Sequence, residues 1–574
     1  MEGHTLLQDV AFAIIGATVL GIPAYIFRLP LVLAFLIAGI LLGPSLGFGI
    51  IRSPESIQTL SEIGLVLLMY ILGLEIDIRK LLRAGRAVIV NGIVQFIGCA
   101  ALATIFFSCL GFSNHVDDYS LTYLAVATSL SSTLVVVKML SDRMELDQLT
   151  SRITLGILVF QDIWAIVFLA IQPNLNKLEV SSVSYSLMKA TVLIAAAWLL
   201  AKYVLPRIFH VIAKQPELVL VTAMGWCFGI CGLANYLSLS LEMGALVAGI
   251  SIASFPYHLD IASKITSLRD FFITLFFVAL GMQIPMPSWA TLGLAGVITL
   301  FVVVSRFLTV FPTLHFMHYG YRGSLIPAIN LAQMSEFSLV VVALGVSYHH
   351  VPQDLLSACT IALVVTLLLS SFMIPSGYSI YRFLKPVLEK LGIRDHVKSM
   401  ESKTHTTSKS IVLFGFYREA SSFLEEFVRR HSQSMTEQLL IIDYNPETLA
   451  KLKARGVPCI YGDIGHPETL RNHTFDEAAV IISTIPDSML KGTTNLKLLY
   501  TLRKLAPKAR IIVTAETLDT AREMYAKGAD YVFVPRIVGA HFLVDIIERV
   551  QGDRMDAVKQ GAERFLSEWN ETLP

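Results

Sequence analysis

Apolar runs dominate the first two thirds of the chain, and polar, charged positions dominate the last third. Taking ~20 consecutive apolar residues as the length that crosses a bilayer, the pattern predicts about thirteen spans. They fall near 5–26, 30–48, 57–78, 87–112, 119–141, 151–171, 184–206, 216–237, 239–255, 268–284, 290–314, 322–347 and 353–380. Two of them break the apolar rule at corresponding places. The fifth carries Thr128, Ser129, Ser131, Ser132 and Thr133 at mid-depth, and the twelfth carries Asn330, Gln333, Ser335 and Glu336. Polar interruptions at matching positions of two halves point to discontinuous helices and an inverted repeat around a midplane site. Such backbone is tolerated only where it is buried or lines a wet cavity.

Beyond residue 409 the period changes. Short β-rich runs at 410–414, 438–443, 458–463, 478–484, 510–515 and 530–535 alternate with helical stretches, which predicts a parallel sheet with helices on both faces. The expected organisation is a membrane domain over 1–382, a linker over 383–409, a Rossmann-like α/β domain over 410–550 and a tail over 551–574.

Composition supports the division. With 54% hydrophobic and 16% charged residues, the 574-residue chain lies well outside the soluble norm of about 25% charge. A net charge of +1 hides the segregation of charge into the last third and gives no basic surface for nucleic acid. Arginines and lysines between the spans fall on alternate sides. Arg28, Arg79, Lys80, Arg83, Arg86, Arg143, Arg152 and Lys202 share one set, and little beyond Arg52 and Lys177 is in the other. The positive-inside rule then sets the N-terminus outside and the α/β domain in the cytoplasm. The six cysteines suggest neither a disulfide framework nor a metal site, and the first apolar run reads as a retained span rather than a signal peptide.

The expensive residues carry the chemistry. Asp162 sits in the middle of LGILVFQDIWAIVFLA beside Gln161, where translocon scales put a lone charge at roughly 2.5–3.5 kcal/mol. An acid at that depth is by default an ion or proton site. Arg306, in FVVVSRFLTVF, calls for an anion, and Asp162, Glu336 and Glu242 are the candidates. In the α/β domain the phosphate-loop fingerprint is half met. Gly415 supplies the tight turn after the first strand, with Phe416 next, but Tyr417 stands where a second glycine would let backbone approach a pyrophosphate. Asp443, followed by Tyr444, and Asp463 end the second and third strands, where acids take ribose hydroxyls. NAD in its usual pose is disfavoured, and an adenine mononucleotide such as AMP needs fewer backbone contacts. No TVGYG-like filter is present to make a potassium channel. Nor is there a catalytic constellation to make an oxidoreductase of the α/β domain.

Together these residues resemble the monovalent cation:proton antiporter-2 family, and within it the Kef-type potassium:proton antiporters. LVFQDIWAI, SLSST, QMSEF, GALVAGISIA and FFVALGMQI carry the likeness in the membrane part. IIDYNPE and YGDIGHPE carry a likeness to TrkA-N (RCK) regulatory domains in the rest. The resemblance implies a transporter rather than an enzyme: a homodimer in the bacterial inner membrane, working by elevator-like alternating access. Asp162 would bind cation and proton in turn, with Gln161, Ser131, Ser132, Thr133 and Thr128 around it and Arg306, Glu336 and Gln333 balancing charge. It further implies potassium over sodium and an ancillary cytosolic regulator. The loop SFPYHLDIASKITSLRD, with His258 and Asp260, only partly matches the family's regulatory loop. The family often has Lys at the position of Arg306. Arginine stays protonated in proteins, which implies a single titrating site and electroneutral exchange.

Overall fold

A computed structural model describes residues 6–27, 29–75, 85–114, 118–143, 145–146, 148–177, 180–212, 216–237, 239–253, 271–390, 392–393, 409–431, 438–462, 464, 478–490, 493–551, 559–560 and 562–563. It contains two compact units. The first comprises 1–140, 152–313 and 327–376, and the second comprises 141–151, 314–326 and 377–574.

The first unit is helical throughout. Among the described residues, eight helical segments, the interrupted Ser120–Ser141 included, are long and apolar enough to cross a membrane, and four shorter apolar helices accompany them. Each predicted apolar run contains helix. The fifth and twelfth are broken, into Ser120–Ser129 and Thr133–Ser141, and into Gly320–Asn330 and Glu336–Ser347. The thirteenth run differs from expectation. Its helix stops at Met373, and an amphipathic helix, Gly377–Lys390, follows with Gly377, Tyr381 and Lys385 buried. That helix continues through the expected domain boundary at 382 and into the first residues of the expected linker. Arg382 and Lys385 fit one turn of an amphipathic face as well as a loop, so sequence alone had no stop signal there.

Two helix crossings fix the frame of this unit, and both rest on glycine. A Cβ on Gly39 would lie 2.0 Å from the carbonyl oxygen of Val278, and one on Gly281 would lie 2.3 Å from that of Leu36. At the other crossing, a Cβ on Gly73 would meet Leu246 O at 2.4 Å, and one on Gly249 would meet Tyr70 O at 2.1 Å. Backbone therefore packs on backbone, as small residues permit between membrane helices. The two crossings also share sequence. Leu36-Ile37-Ala38-Gly39-Ile40 matches Leu246-Val247-Ala248-Gly249-Ile250, and Leu72-Gly73-Leu74-Glu75-Ile76 matches Leu280-Gly281-Met282-Gln283-Ile284. In each crossing a helix of one half meets a helix of the other, as an internal repeat requires.

The second unit is built on a six-stranded parallel sheet: β1 (Ile411–Phe414), β2 (Leu439–Asp443), β3 (Cys459–Tyr461), β4 (Val480–Ser483), β5 (Arg510–Thr514) and β6 (Tyr531–Phe533). Its order is β3-β2-β1-β4-β5-β6, which puts the topological switch between β1 and β4. Apolar strand residues alternate between two cores. Val412, Phe414, Ile481 and Ile511 face one, and Leu413, Leu439 and Ile441 face the other.

The glycine crossings give the first prediction. Gly249→Ala puts a methyl group into backbone and lowers stability by about 1–3 kcal/mol, the cost of overpacking a filled core. Gly225→Ala, where nothing lies within 4 Å of the new Cβ, leaves the melting temperature of the detergent-purified protein unchanged. Equal melting of the two variants would contradict the close crossing.

Candidate functional site: two interrupted helices and a buried arginine

An interrupted helix exposes the last carbonyls of its first half and the first N–H groups of its second, and in a membrane these need protein partners. Here each has one. The guanidinium of Arg306, fully buried on the helix Trp289–Phe316, reaches both interruptions. Its Nη2 donates to the carbonyls of Thr128 (2.8 Å) and Leu130 (3.1 Å), at the end of Ser120–Ser129. Its Nε donates to the carbonyl of Leu331 (3.1 Å), just past Gly320–Asn330, and to Ser131 Oγ (3.2 Å). Nη1 meets Cys99 Sγ at 3.0 Å and Ser305 Oγ at 3.5 Å.

Every one of these partners is neutral. The expected carboxylate for Arg306 is replaced by the carbonyl ends of two half-helices, whose dipoles present partial negative charge. Hydrophobic pattern shows that a buried arginine needs compensation. It does not show that backbone dipoles provide it.

Neighbouring helices complete the accounting in parallel ways. At the first break, Ser131 N donates to Gln161 Oε1 (2.7 Å), and Gln95 Nε2 donates to Ser129 O (3.0 Å). Gln161 Nε2 in turn donates to Gln95 Oε1 (2.7 Å). At the second break, Met334 N donates to Thr366 Oγ1 (3.2 Å), while Ser335 Oγ accepts from Phe337 N (3.1 Å) and so caps Glu336–Ser347. The breaks also hold each other. Ser131 Oγ donates to Leu331 O (2.9 Å), Ser338 Oγ to Ala127 O (2.6 Å), and Gln333 Nε2 approaches Ser132 O at 3.5 Å. Gln95, Thr366 and Ser370, which donates to Gln333 Oε1 (3.0 Å), join the site without having been singled out in the sequence. Asn91 with Gln95, and Thr366 with Ser370, stand four residues apart on one helical face, and that spacing is the signal in the sequence that marks them.

Asp162 stands one residue along from Gln161 on Leu149–Ile171 and is half-buried. Thr133, the first residue of Thr133–Ser141, donates its hydroxyl to Asp162 Oδ2 (3.2 Å). The carboxylate thus meets the N-terminal, positive end of a half-helix, while Arg306 meets the C-terminal end of its partner half. Trp164, stacked on Phe96 at 5.1 Å between ring centres, packs this helix against Gly85–Cys109. Ser132 Oγ accepts from Val135 N (3.3 Å). The hydroxyl of Thr128 bonds back to Leu124 O (2.7 Å), and its carbonyl is the group turned to Arg306. Glu336 is buried as the first residue of Glu336–Ser347, an acid at a helix N-terminus, and is not among the groups bonded to Arg306. His350, given no role from sequence, is buried with Nδ1 2.8 Å from Tyr123 OH, and its carbonyl accepts from Tyr119 N. It ties the start of the broken fifth run to the turn before Gln353–Met373.

In the second unit, Gly415 has φ +75°, and a Cβ there would lie 1.8 Å from Ile485 Cδ1, so the tight turn requires glycine. Phe416 buries its ring in the core and donates its N–H to Asp443 Oδ2 (2.6 Å). Asp443 Oδ1 accepts from Asn445 N (2.7 Å). Tyr417 precedes the helix Arg418–Arg430, and the Arg418 guanidinium lies 5.5 Å from its ring centre. A small cleft of about 30 Å³ opens over the C-terminal ends of the strands, lined by Gly415, Asp443, Tyr444 and Arg322 among others. Burial pushes the nearby Asp487 carboxyl up, against the pull of the Asn495 N–H it accepts from. Asp463 lies outside the described residues, as do Arg79, Lys80, Arg83, His258 and Asp260.

Two broken helices crossing at a buried arginine, beside a half-buried acid, define a secondary transporter of the ion-exchanger class. The sodium/hydrogen exchanger transmembrane family matches residues 10–376, and the TrkA-N domain matches 411–535. The chain belongs to that exchanger family and carries a TrkA-N domain. It is 28% identical over 532 residues to the glutathione-regulated potassium-efflux system protein KefC of an Enterobacter species, covering 90% of this chain and 81% of that one. It is 26% identical over 534 residues to KefC of Escherichia coli, with the same shares covered. The sodium proton antiporter MjNhaP1 of Methanocaldococcus jannaschii shares the membrane fold at a TM-score of 0.50 and 17% identity, over 66% of this chain and 97% of that one. The protein is a multi-pass membrane protein and a monovalent cation:proton antiporter.

The geometry predicts that Gln161→Leu costs about 1–3 kcal/mol, because it leaves the buried Ser131 N–H without an acceptor. Gln161→Glu keeps that acceptor and melts closer to the parent protein. A thermal melt of both variants in detergent checks the ranking.

Proposed function

We propose that the protein exchanges potassium for protons one for one across the membrane, with Asp162 binding cation and proton in turn. The observation that carries this reading is the separation of the two buried charges. Arg306 is compensated where it stands by carbonyl dipoles, and stays protonated whatever Asp162 holds. Asp162, with Thr133 as a hydroxyl neighbour, is then the group whose occupancy changes. Its two loaded forms, carboxylate with a monovalent cation and neutral acid with a proton, carry the same net charge. Exchange between them moves no net charge. Gln161 supports that stoichiometry, since its amide is spent on holding Ser131 and Gln95 and adds no second acid.

Alternating access would be of the elevator type. The glycine-crossed helices form the fixed part, and the interrupted helices with Leu149–Ile171 form the moving part. The working unit is a homodimer in the bacterial inner membrane, N-terminus outside and α/β domain in the cytoplasm. An adenine mononucleotide in the strand-end cleft regulates it, and an ancillary cytosolic protein is a further partner.

In liposomes with an imposed pH gradient and a fluorescent pH reporter, potassium addition collapses the gradient for the parent protein. Asp162→Asn abolishes the response. Full exchange by that variant would overturn the assignment of the site, and a response to sodium with none to potassium would overturn the choice of cation. With a valinomycin clamp, the parent rate is independent of membrane voltage, whereas Gln161→Glu, with a second acid at the site, becomes voltage-dependent.

A further inference from the structure

Glu242, a candidate partner for Arg306 in the sequence, is not among the groups bonded to it. It lies half-buried in the first turn of Leu241–Ala253, and among the described residues it accepts no hydrogen bond and makes no ion pair. Ser240 caps the same helix, its hydroxyl accepting from Met243 N (3.2 Å). Glu242 and Ser240 line a cavity of about 10 Å³. Met69 and Leu246, from the glycine-crossed helices, form one wall, and Leu169 and Leu344, from Leu149–Ile171 and Glu336–Ser347, form another. The cavity therefore spans the boundary between the parts that the elevator reading holds fixed and moves. Burial, and then the charge of Glu242, push the Tyr348 hydroxyl up to about 12, which places the carboxylate against the turn that follows Glu336–Ser347.

The internal repeat does not call for an acid here. Leu246–Ile250 matches Leu36–Ile40, and the same offset sets Glu242 against Val32, buried at the corresponding start of Leu31–Leu42. Related positions of an inverted repeat fall at opposite ends of the boundary. One end is therefore apolar, and the other carries a carboxylate. The cavity also leads toward the transport acid. Leu169 is seven residues from Asp162, two turns along one face of the helix and about 10 Å away. A space of this size admits one water-sized particle, and potassium is close to water in radius. One carboxylate beside a neutral hydroxyl balances a single positive charge, and oxygen donors suit a hard cation. The apolar walls add no ligand, so such a site holds an ion weakly and in passing.

We propose that Glu242, with Ser240, forms a second cation station at the outer end of this boundary, which a monovalent cation occupies on its way to and from Asp162. The inference rests on the reading of Asp162 given above and deepens it. Leu169 and Leu344 belong to the moving part, so displacement of that part opens the cavity toward Asp162 while Glu242 stays with the fixed helices. The station sets how readily a cation is taken from the outer side. Asp162 alone exchanges it for a proton.

The test uses the full-length protein in right-side-out and everted membrane vesicles, with the exchange rate followed against potassium or sodium concentration at the exposed face. Glu242→Gln raises the half-saturating cation concentration about tenfold at the outer face, as loss of one carboxylate next to the ion predicts. Half-saturation at the inner face and the maximal rate stay unchanged, which also reports that the variant is folded. Glu242→Asp keeps part of the outer affinity, and Glu242→Val, the residue of the other half, behaves as Glu242→Gln. The shift persists in high choline chloride, because salt screens a diffuse surface charge and not a ligand in contact with the ion. An unaltered outer half-saturation, a rise at the inner face, a fall in maximal rate alone, or a shift that choline chloride removes would each overturn the proposal. The shift found with sodium and no response to potassium overturns the choice of cation and keeps the station. Full exchange by Asp162→Asn beside an outer shift in Glu242→Gln sinks the Asp162 reading alone. Loss of exchange in Asp162→Asn beside an unshifted Glu242→Gln sinks this inference alone.

Discussion

The membrane unit depends on one electrostatic arrangement: a guanidinium compensated by the carbonyl ends of two half-helices. Breaking a helix within a membrane costs several kcal/mol for each backbone group left without a partner. Burying an arginine costs several more. Each expense answers the other here. The carbonyls of Thr128, Leu130 and Leu331 exist as free acceptors only because the helices are broken, and the cation is tolerated only because they are there. The helices could not close into regular spans without stranding Arg306, and Arg306 could not be replaced by an apolar residue without stranding the carbonyls.

Drawing compensation from backbone also leaves Arg306 bonded to groups other than Asp162. Paired with Asp162, its charge would oppose the cation binding proposed there. With its compensation drawn from backbone, the acid stands one helical step away, at the opposite, positive end of a half-helix. Gln161 separates the two environments, with its amide reaching Ser131 and Gln95.

Much of this was legible in the sequence, for definite reasons. Apolar runs of spanning length, and polar clusters at two matching places, located the helices and their breaks. Strand-length β-rich runs located all six strands to within a residue or two. What escaped was of two kinds. Partners that are backbone carbonyls have no residue signature, so the compensation of Arg306 could not be read. Partners from distant segments, such as Arg322 at the cleft, show no pattern until the chain is folded. One feature was visible in the letters and missed. The repeat of Leu36–Ile40 in Leu246–Ile250, and of Leu72–Ile76 in Leu280–Ile284, marks both crossings. These stretches hold no polar anomaly, and glycine is their informative residue.

The glycine crossings carry a mechanical corollary. Where backbone touches backbone there are no rotamers to rearrange, so two helices in such contact have no low-cost way to slip past each other. The pairs joined at Gly39 with Gly281, and at Gly73 with Gly249, behave as a welded truss. Displacement during a transport cycle is therefore confined to seams lined by longer, deformable side chains.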